Sequence, residues 1–349
     1  MSVFSDPDFA NHEQVCFCAD ADSGLRAIIA IHDTRRGPAF GGCRIWAYDS
    51  ETAAITDVLR LARGMTYKSA LARLPFGGGK AVILADARTQ KTEALLEAFG
   101  RAVDRLSGRY VTAEDVGSSV ADLEVVRRIT PHVVGITEGG AGDPSPATAF
   151  GVFEGVKATV RRRLGARSLD GLTVAVQGLG HVGLGLAEHL AEAGARLIVA
   201  DLNENAVSDA VQRLDATPVD AARVHMAKAD VFAPCAMGAV LNDNTIPDLV
   251  APVVAGSANN QLAEARHGAL LRDRGVLYAP DYAINAGGII NISHEKTRTG
   301  RPYDRQAAFA HVAQIGDTLG QIFELADAEG IPTSDAADRL AEQRMAEAA

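Results

Sequence analysis

Two lysines and an aspartate in the first half of the chain have the types and positions for acid–base chemistry. Lys68 continues the apolar face of a predicted helix, and Lys80 directly follows a run of three glycines, 77–79. An unpaired ammonium group on an apolar face costs free energy unless an anion meets it. The position of Lys68 therefore predicts an anionic partner, such as a substrate carboxylate. A glycine run is entropically expensive unless the backbone bends sharply or comes close to something, and we interpret it as a close approach to a ligand.

Proton transfer is the chemistry that these three side chains predict together. Two ammonium groups in one pocket disfavour each other's charge, and burial acts in the same direction, so one lysine could titrate near neutrality and act as a base. We assign that role to Lys80. Asp115 ends a predicted strand and could face a cleft and shuttle a proton. Taken singly, each could instead be a solvated or ion-paired lysine or a capping aspartate.

A glycine-rich turn in the second half of the chain predicts a dinucleotide site. The strand-like run TVAVQ leads into GLGHVG at 178–183, then a helix and a second strand that ends in Asp201. Gly178 would allow the tight turn, Gly180 a close approach of the pyrophosphate, and Gly183 packing of the helix on the strand. Asp201 would accept hydrogen bonds from the adenosine ribose and repel a 2'-phosphate, which favours NAD over NADP. The alternative is a tight turn that binds nothing.

Alternating helices and strands must position these residues. The first half predicts strands at 25–32, 80–85 and 110–112 and helices at 92–106 and after Ser50, the latter with one face formed by Ile55, Val58, Leu61, Met65 and Lys68. Beyond the sequence GGAGDPSP at 139–146, strand-like runs recur at 173–177, 196–201, 231–233, 253–255 and 276–279, a pattern typical of a parallel sheet. An amphipathic stretch, 305–329, ends at Gly330 and Pro332, before one short helix.

The fold class that follows is α/β with two domains. Residues 1–142 would form an α/β catalytic domain that also carries oligomerisation. Residues 143–324 would form a doubly wound Rossmann domain that binds NAD, and a helix from about residue 325 to 349 would pack back on the first domain.

Composition excludes several classes of function. A chain of 349 residues with 47% hydrophobic residues should fold, and a net charge of -10 argues against nucleic acid and anionic membranes as partners. No apolar run is long enough to span a membrane and the first residues are polar, so we expect a cytoplasmic location. The histidines show no metal-ligand spacing, so we expect no metal, and the four cysteines form no CxxC pair and should be reduced.

Six segments resemble the leucine, phenylalanine and valine dehydrogenases, which are relatives of glutamate dehydrogenase. They are GPAFGGCRIWAY, RLARGMTYKSALARLPFGGGKAVI, YVTAEDVG, VAVQGLGHVG, VVAGSANNQL and YAPDYAINAGG. The resemblance spans nearly the whole chain in the family's order. It implies an amino-terminal catalytic domain, a carboxy-terminal NAD domain and a cleft that closes during reaction, with a hinge near 139–146.

The resemblance also implies roles for residues. Lys68 would bind the substrate carboxylate, Lys80 would activate water to attack the iminium left by hydride transfer, and Asp115 would relay protons as ammonia departs. The expected substrate contacts are Lys68, Gly41, Gly42, Phe40, Ala113, Asn260, Ile289 and Ile292. The expected cofactor contacts are Gly178, Leu179, Gly180, His181, Val182, Gly183, Asp201, Leu202, Thr148, Cys235, Ala236, Ala258, Asn259 and Asn285.

The side-chain pocket that the resemblance implies is apolar, which favours leucine or valine and disfavours glutamate. Phe40 and Cys43 depart from the common form of the leucine enzymes, so phenylalanine or tryptophan stays open. Two other classes compete: a hydroxy-acid or shikimate-type dehydrogenase without ammonia dependence, and a non-catalytic NAD sensor. The expected partners are an amino acid or 2-oxo acid, ammonia, and further copies of the chain in a homo-oligomer.

Overall fold

The computed structural model describes residues 3–137, 140–236, 238–295, 300 and 302–347. Contacts divide the chain into two compact units. The first unit contains Met1–Asp143, Ile292–Arg305 and Ala341–Ala349, and the second contains Pro144–Asn291 and Gln306–Leu340. Gly139, in the predicted hinge, lies outside the described residues.

The division differs from the predicted domains near the carboxy terminus. We expected the chain to leave the second domain at about residue 325, but residues 306–340 pack in the second unit and residues 292–305 in the first. Leu319, in the amphipathic stretch, shows the reason: a methyl carbon of Leu319 lies 3.0 Å from where a Cβ on Gly155 would stand. The apolar face of the stretch is therefore buried within the second unit. Of the carboxy-terminal helix predicted at 325–349, only the residues from 341 onward belong to the first unit.

The first unit is built on a mixed five-stranded sheet. Its strands are β1 (Gln14–Asp20), β2 (Leu25–Asp33), β3 (Ala39–Trp46), β4 (Gly77–Leu84) and β5 (Tyr110–Glu114), in the order β1-β2-β4-β3-β5. β2 is antiparallel to β1 and β4, whereas β3 is parallel to β4 and β5. The carboxyl ends of β3, β4 and β5 therefore lie along one edge of the sheet.

Helix α1 (Glu51–Leu71) covers one face of this sheet. Ser50 begins it as predicted, because its hydroxyl accepts a hydrogen bond from the Ala53 amide at 3.1 Å. The predicted apolar face is wrong in its second half. Leu61, Met65 and Lys68 are half-buried on the flank, while the buried face includes Val58, Leu59, Ala62, Thr66, Ser69 and Ala70.

The glycine run explains this shift. Residues 77–79 lie inside β4 rather than in a loop before it. A Cβ on Gly78 would stand 2.0 Å from the backbone nitrogen of Thr66 in α1, so only glycine allows the helix to pack this closely on the strand. The close approach that we expected for a ligand is therefore made by α1 itself, which turns its small residues to the sheet.

Two further helices, α2 (Glu93–Asp104) and α3 (Val120–Ile129), belong to the first unit. The large core beside them combines side chains of β2 and β4 with Phe99 and Val103 of α2 and Val126 of α3. Alternation along the strands places these core residues and the α1-facing residues on opposite faces of the sheet.

The second unit contains a parallel six-stranded sheet. Its strands are β6 (Thr173–Gln177), β7 (Arg196–Ala200), β8 (Thr217–Pro218), β9 (Val231–Pro234), β10 (Val253–Val254) and β11 (Leu277–Tyr278), in the order β11-β10-β9-β6-β7-β8. Counted from β6, this is the 3-2-1-4-5-6 order of the doubly wound dinucleotide-binding fold. The predicted strands are confirmed within about two residues.

Helices cover this sheet and complete the chain. They are α4 (Ser145–Leu164), α5 (His181–Glu192), α6 (Glu204–Leu214), α7 (Arg266–Asp273), α8 (Asp281–Ile284), α9 (Gly287–Ser293), α10 (Arg305–Val312), α11 (Ile315–Glu329) and α12 (Thr333–Ala346). Gly330 ends α11 in the left-handed conformation, as the sequence predicts. Within the described ranges, no helix is both long and apolar enough to cross a membrane.

Candidate active site

A buried ion pair joins two strands of the first unit. Lys80 lies on β4 and pairs in register with Ala30, a residue that packs against α1. Asp115 follows the last residue of β5. Lys80 Nζ lies 2.7 Å from Asp115 Oδ2, and the two side chains are 7% and 18% exposed. The two residues that the sequence assigned to proton transfer are thus in direct contact.

The charge of Asp115 is set by opposing effects. Burial raises the pKa of its carboxyl group, but the ammonium of Lys80 and the guanidinium of Arg44 lower it by more, so the pKa lies below its usual value. Asp115 is therefore ionised at neutral pH and can accept a proton from a neighbour.

The charged group in contact with Lys80 is the carboxylate of Asp115. That Lys68 and Lys80 share one pocket stays a prediction. Lys68 is half-buried on the flank of α1, near that helix's carboxyl end. The contact between Thr66 and Gly78 links this part of α1 to the stretch of β4 that carries Lys80.

Three residues that the sequence reasoning missed extend the ion pair. Arg44, on β3, places Nε 3.4 Å from Asp115 Oδ2 and a terminal nitrogen 2.9 Å from Asp57 Oδ2 of α1. The hydroxyl of Tyr48 donates a hydrogen bond to the same Asp57 oxygen at 2.5 Å. The sequence feature that could have identified this extension is Arg44, a charged residue in a strand that is otherwise mostly apolar.

Gly41 and Gly42 of β3 lack side chains where β4 and Asp115 pack closely against the strand. A Cβ on Gly42 would stand 2.9 Å from the Cβ of Asp115, and a Cβ on Gly41 would stand 1.8 Å from the carbonyl oxygen of Gly79. A side chain at either position would therefore displace β4 or Asp115. Their predicted contact with substrate stays a prediction.

The four residues of the predicted side-chain pocket are all buried. In the first unit, Phe40, Ala113 and Ile292 are 3%, 5% and 7% exposed, and the ring of Phe40 stacks on Phe76 with centroids 5.4 Å apart. Ile289 is 7% exposed in the second unit. Phe76 was not predicted, and its stacking fixes one side of the Phe40 ring.

The glycine loop of the second unit has the geometry that a dinucleotide requires. Gly178 has φ +93°, and a Cβ there would stand 2.8 Å from the backbone nitrogen of Ala236. A Cβ on Gly183 would stand 2.0 Å from the carbonyl oxygen of Gly178, whereas one on Gly180 would meet nothing within 4 Å. Gly180 precedes α5 without a side-chain cap, so a phosphate could approach its first-turn amides. The residues present therefore fit the pyrophosphate of a dinucleotide.

Asp201 follows β7 beside this loop. Its Oδ2 accepts a hydrogen bond from the Leu179 amide at 2.5 Å, and its Oδ1 accepts one from the Asn203 amide at 2.7 Å. The carboxylate thus supports the glycine loop, a role that sequence reasoning did not give it, and the ribose contact stays a prediction. Leu202 is 92% exposed and His181 is also exposed.

The remaining predicted cofactor residues surround a turn at 256–260. The Nδ2 of Asn285 donates to Asn259 Oδ1 at 2.7 Å and to the Ser257 carbonyl at 3.1 Å. Its Oδ1 is buried and has no hydrogen bond among the described residues, so it could accept one from a ligand. Gln261, which sequence reasoning missed, is fully buried and donates to two carbonyls of the turn.

The other predicted residues here have backbone or local contacts. Thr148 Oγ1 donates to the carbonyl of Pro144 at 2.9 Å, which leaves the oxygen's lone pairs for a further donor. Ala236 packs against Gly178, and the amide of Cys235 donates to the carbonyl of Gln177 at 2.7 Å. Ala258 is 4% exposed. Their contacts with a cofactor stay predictions.

Comparison with known proteins gives matches over almost the full length. A family model described as Glu/Leu/Phe/Val dehydrogenase, dimerisation domain, matches residues 12–132, and one described as Glutamate/Leucine/Phenylalanine/Valine dehydrogenase matches residues 139–210 and 199–349. Leucine dehydrogenase of Geobacillus stearothermophilus is 50% identical over 347 residues, which cover 99% of this chain and 94% of that protein.

Two enzymes of other specificity are similar over comparable lengths. The crystal structure of L-tryptophan dehydrogenase from Nostoc punctiforme has a TM-score of 0.85 and 46% identity, and the match covers 97% of this chain and 96% of that one. Phenylalanine dehydrogenase of Bacillus thermotolerans is 45% identical over 343 residues, 96% of this chain and 89% of that protein.

Proposed function

The chain belongs to the Glu/Leu/Phe/Val dehydrogenase family of amino-acid dehydrogenases, and from this we propose that it catalyses the NAD-dependent, reversible oxidative deamination of an apolar L-amino acid to its 2-oxo acid and ammonia. The observation that carries the proposal is the buried contact between Lys80 and Asp115. A cation and an ionised carboxylate 2.7 Å apart can pass a proton without solvent, which deamination requires.

The chain's own residues divide the work. Lys68 binds the substrate carboxylate, and Lys80 Nζ holds and moves the proton of the water that replaces the amino group. Asp115 Oδ2 accepts a proton from the Lys80 ammonium, which leaves a neutral amine to take the proton of that water, and Asp115 gives its proton to the departing ammonia. A bound nicotinamide supplies a hydride acceptor for the substrate Cα. The burial of the ion pair keeps bulk water from competing with these transfers.

NAD rather than NADP is the cofactor that we propose, and Asp201 supports this choice. Its carboxylate lies beside the glycine loop at the end of β7. A carboxylate at this position accepts hydrogen bonds from ribose hydroxyl groups and repels a 2'-phosphate. Replacement of Asp201 by serine should weaken NAD binding and raise the relative affinity for NADP. Both are measured by quenching of protein fluorescence. Equal loss for the two cofactors would remove Asp201 from the discrimination.

Leucine or valine is the substrate that we favour. The predicted pocket residues are apolar and buried, and leucine dehydrogenases are among the relatives with about half of their residues identical. Phe40 and its stacking partner Phe76 are the observation that keeps tryptophan and phenylalanine as the second candidates, because aromatic side chains pack well against rings.

The first test is NADH formation at 340 nm with NAD and a panel of leucine, valine, isoleucine, phenylalanine, tryptophan and glutamate. The reverse reaction should consume NADH only when ammonia accompanies the matching 2-oxo acid. Turnover of a 2-hydroxy acid without ammonia would point to the hydroxy-acid class. Cofactor binding with no turnover of any substrate would point to a sensor.

Lys80→Ala should abolish turnover while NAD binding persists, since Lys80 belongs to the first unit and the glycine loop to the second. A control is Lys157→Ala, which removes a lysine that pairs with Glu154 on the same helix, at 2.8 Å. Full activity in Lys80→Ala would remove Lys80 from the mechanism.

We also propose that the protein is a homo-oligomer that assembles through its first unit. The support is that the family model matched by residues 12–132 is described as a dimerisation domain. Light scattering coupled to gel filtration measures the mass of the assembly directly. A mass equal to that of one 36.6 kDa chain would contradict this proposal.

A further inference from the structure

A line of alternating charges runs from the ion pair to α1. Asp115 Oδ2 lies between two cations, Lys80 Nζ at 2.7 Å and Arg44 Nε at 3.4 Å. A terminal nitrogen of Arg44 contacts Asp57 Oδ2 at 2.9 Å, and Tyr48 donates to that oxygen. Four charged groups from β3, β4, α1 and the residue after β5 thus alternate in sign.

The Arg44 end of this line is held tightly. The Arg44 side chain is 21% exposed, and its Nε is buried with no hydrogen bond among the described residues. This nitrogen therefore interacts with Asp115 through Coulomb attraction across 3.4 Å. Asp57 fixes the other side of the planar group, and the hydroxyl of Tyr48 fixes Asp57. Because Asp57 fixes the guanidinium of Arg44, this group stays in place if the Asp115 carboxylate rotates away from it.

We propose that Arg44 is a positioning residue for the reaction: it keeps the Asp115 carboxylate charged and aimed at Lys80 Nζ, and Asp57 and Tyr48 hold Arg44 in place. The inference rests on the proposed function, because it concerns how Asp115 performs proton transfer. Arg44 touches neither the substrate nor the reacting atoms in this assignment. Its effect on rate must pass through Asp115.

The groups around Asp115 favour this assignment. Lys80 faces it from β4 and Arg44 from β3, while Cys43 and Tyr110 have pKa values raised above their usual range, mainly by burial, and are neutral at neutral pH. Ser118 accepts a hydrogen bond from the Asp115 amide at 2.9 Å and contributes no charge. Among the described residues, Lys80 and Arg44 are therefore the two cations that lower the pKa of Asp115.

A purely structural tie between the sheet and α1 is the competing interpretation. The chain provides a matched example of such a tie, since Arg26 on β2 pairs with Glu51 of α1 at 3.2 Å. That pair is 64% and 58% exposed and lies at the first turn of α1. Exposed pairs of this kind contribute little to stability. Arg26→Gln is therefore the control for the loss of an arginine that joins the sheet to α1.

A double-mutant cycle separates the two interpretations. Single-turnover NADH consumption in the reverse reaction, with enzyme in excess over the 2-oxo acid and with ammonia present, is measured for the wild type, Arg44→Gln, Asp115→Asn and the double variant, together with thermal unfolding of each. In this direction the proton transfers assigned to Asp115 precede hydride transfer. We expect Arg44→Gln to slow the wild type about tenfold or more and to have almost no effect in the Asp115→Asn background. Arg26→Gln should leave the rate unchanged. Equal slowing by Arg44→Gln in both backgrounds would overturn the proposal.

A second measurement does not depend on turnover. The carboxyl carbon of Asp115, labelled with carbon-13, is titrated by NMR in the wild type, Arg44→Gln and Arg44→Lys. Loss of the cation should raise the pKa of Asp115 by about one unit, and lysine should restore most of that shift. An unchanged titration in Arg44→Gln would overturn the proposal. A wild type that turns over no amino acid, but shows the expected titrations, would refute the proposed function and keep the electrostatic role of Arg44.

Discussion

Acid should destabilise the first unit through a buried pair of histidines. His32, near the end of β2, is 9% exposed, and its ring centroid lies 4.8 Å from that of His12. Its Nδ1 lies 2.8 Å from the hydroxyl of Thr66, the residue of α1 that packs on β4. Burial, and then the neighbouring His12 and Arg63, lower the pKa of His32 to about 4. Burial also lowers the pKa of His12.

The size of the effect follows from linkage. The folded pKa of His32 is lower than its unfolded value of 6.5, so the unfolded chain binds more protons as the pH falls below 6.5. At pH 5 the unfolded side chain is charged and the folded one is still neutral, which costs about 2 kcal/mol of unfolding free energy for His32 alone. Loss continues until the pH falls through the folded pKa. His12 acts in the same direction, whereas Asp115, with its lowered pKa, stays ionised in this window.

The assay is urea unfolding at pH 7 and pH 5, followed by the fluorescence of Trp46. This is the chain's single tryptophan and it ends β3, so it reports on the first unit. His32→Asn keeps a polar atom beside Thr66 but does not titrate, and its loss of stability between the two pH values should be smaller by about 2 kcal/mol than that of the wild type.

The control is His225→Asn, which removes a buried histidine of the second unit and should leave the Trp46 transition unchanged. If His32→Asn loses as much stability between pH 7 and pH 5 as the wild type does, then His32 is not the group that titrates and the reasoning from burial fails.

Three further predictions concern single carbon atoms. Gly78→Ala should destabilise the first unit by about 3 kcal/mol or more in urea unfolding, because its Cβ would overlap the α1 backbone. Gly64→Ala adds a Cβ in open space on α1 and should stabilise the first unit by about 0.5–1 kcal/mol. A change of the same sign in both variants would contradict the packing argument. Gly180→Ala should leave thermal stability unchanged but weaken NAD binding, measured by calorimetry, whereas Gly183→Ala should lower the stability of the second unit. Unaffected NAD binding in Gly180→Ala would refute the idea that a phosphate group approaches the backbone at Gly180. Ala113→Gly should enlarge the predicted pocket and raise kcat/KM for phenylalanine relative to leucine by about tenfold, and an unchanged ratio would place Ala113 outside it.

Features that lie in one continuous stretch could be predicted from the sequence. The loop at 178–183 combines a strand, three glycines and a helix, and each glycine meets a geometric requirement set by its immediate neighbours, so the pattern predicts Gly178 and Gly183 correctly in their packing roles. The strands of the second unit are equally local, because buried parallel strands are short apolar runs. Lys80 and Asp115 were also identified, since each stands at the end of, or within, such a run.

Other expectations failed where a neighbour in space decides the outcome. The face of α1 was misplaced at Leu61 and Met65 because hydrophobicity alone does not reveal that Gly78 lets the helix backbone approach the strand. The glycine run was assigned to a ligand for the same reason. The contact of Lys80 with the Asp115 carboxylate likewise joins residues that are far apart in the chain, while a pocket shared by Lys68 and Lys80 stays a prediction.

The sequence by itself therefore determined the fold class, the dinucleotide loop and the two residues at the centre of the proposed proton transfer, because those features depend on local periodicity and on residues adjacent in the chain. Only the tertiary structure decided what surrounds them. Arg44, Asp57 and Tyr48 come from a strand, a helix and a loop, and their distances from Asp115 and from one another depend on strand register and on how closely α1 packs on the sheet. Such side-chain contacts have no periodicity along the chain from which they could be predicted.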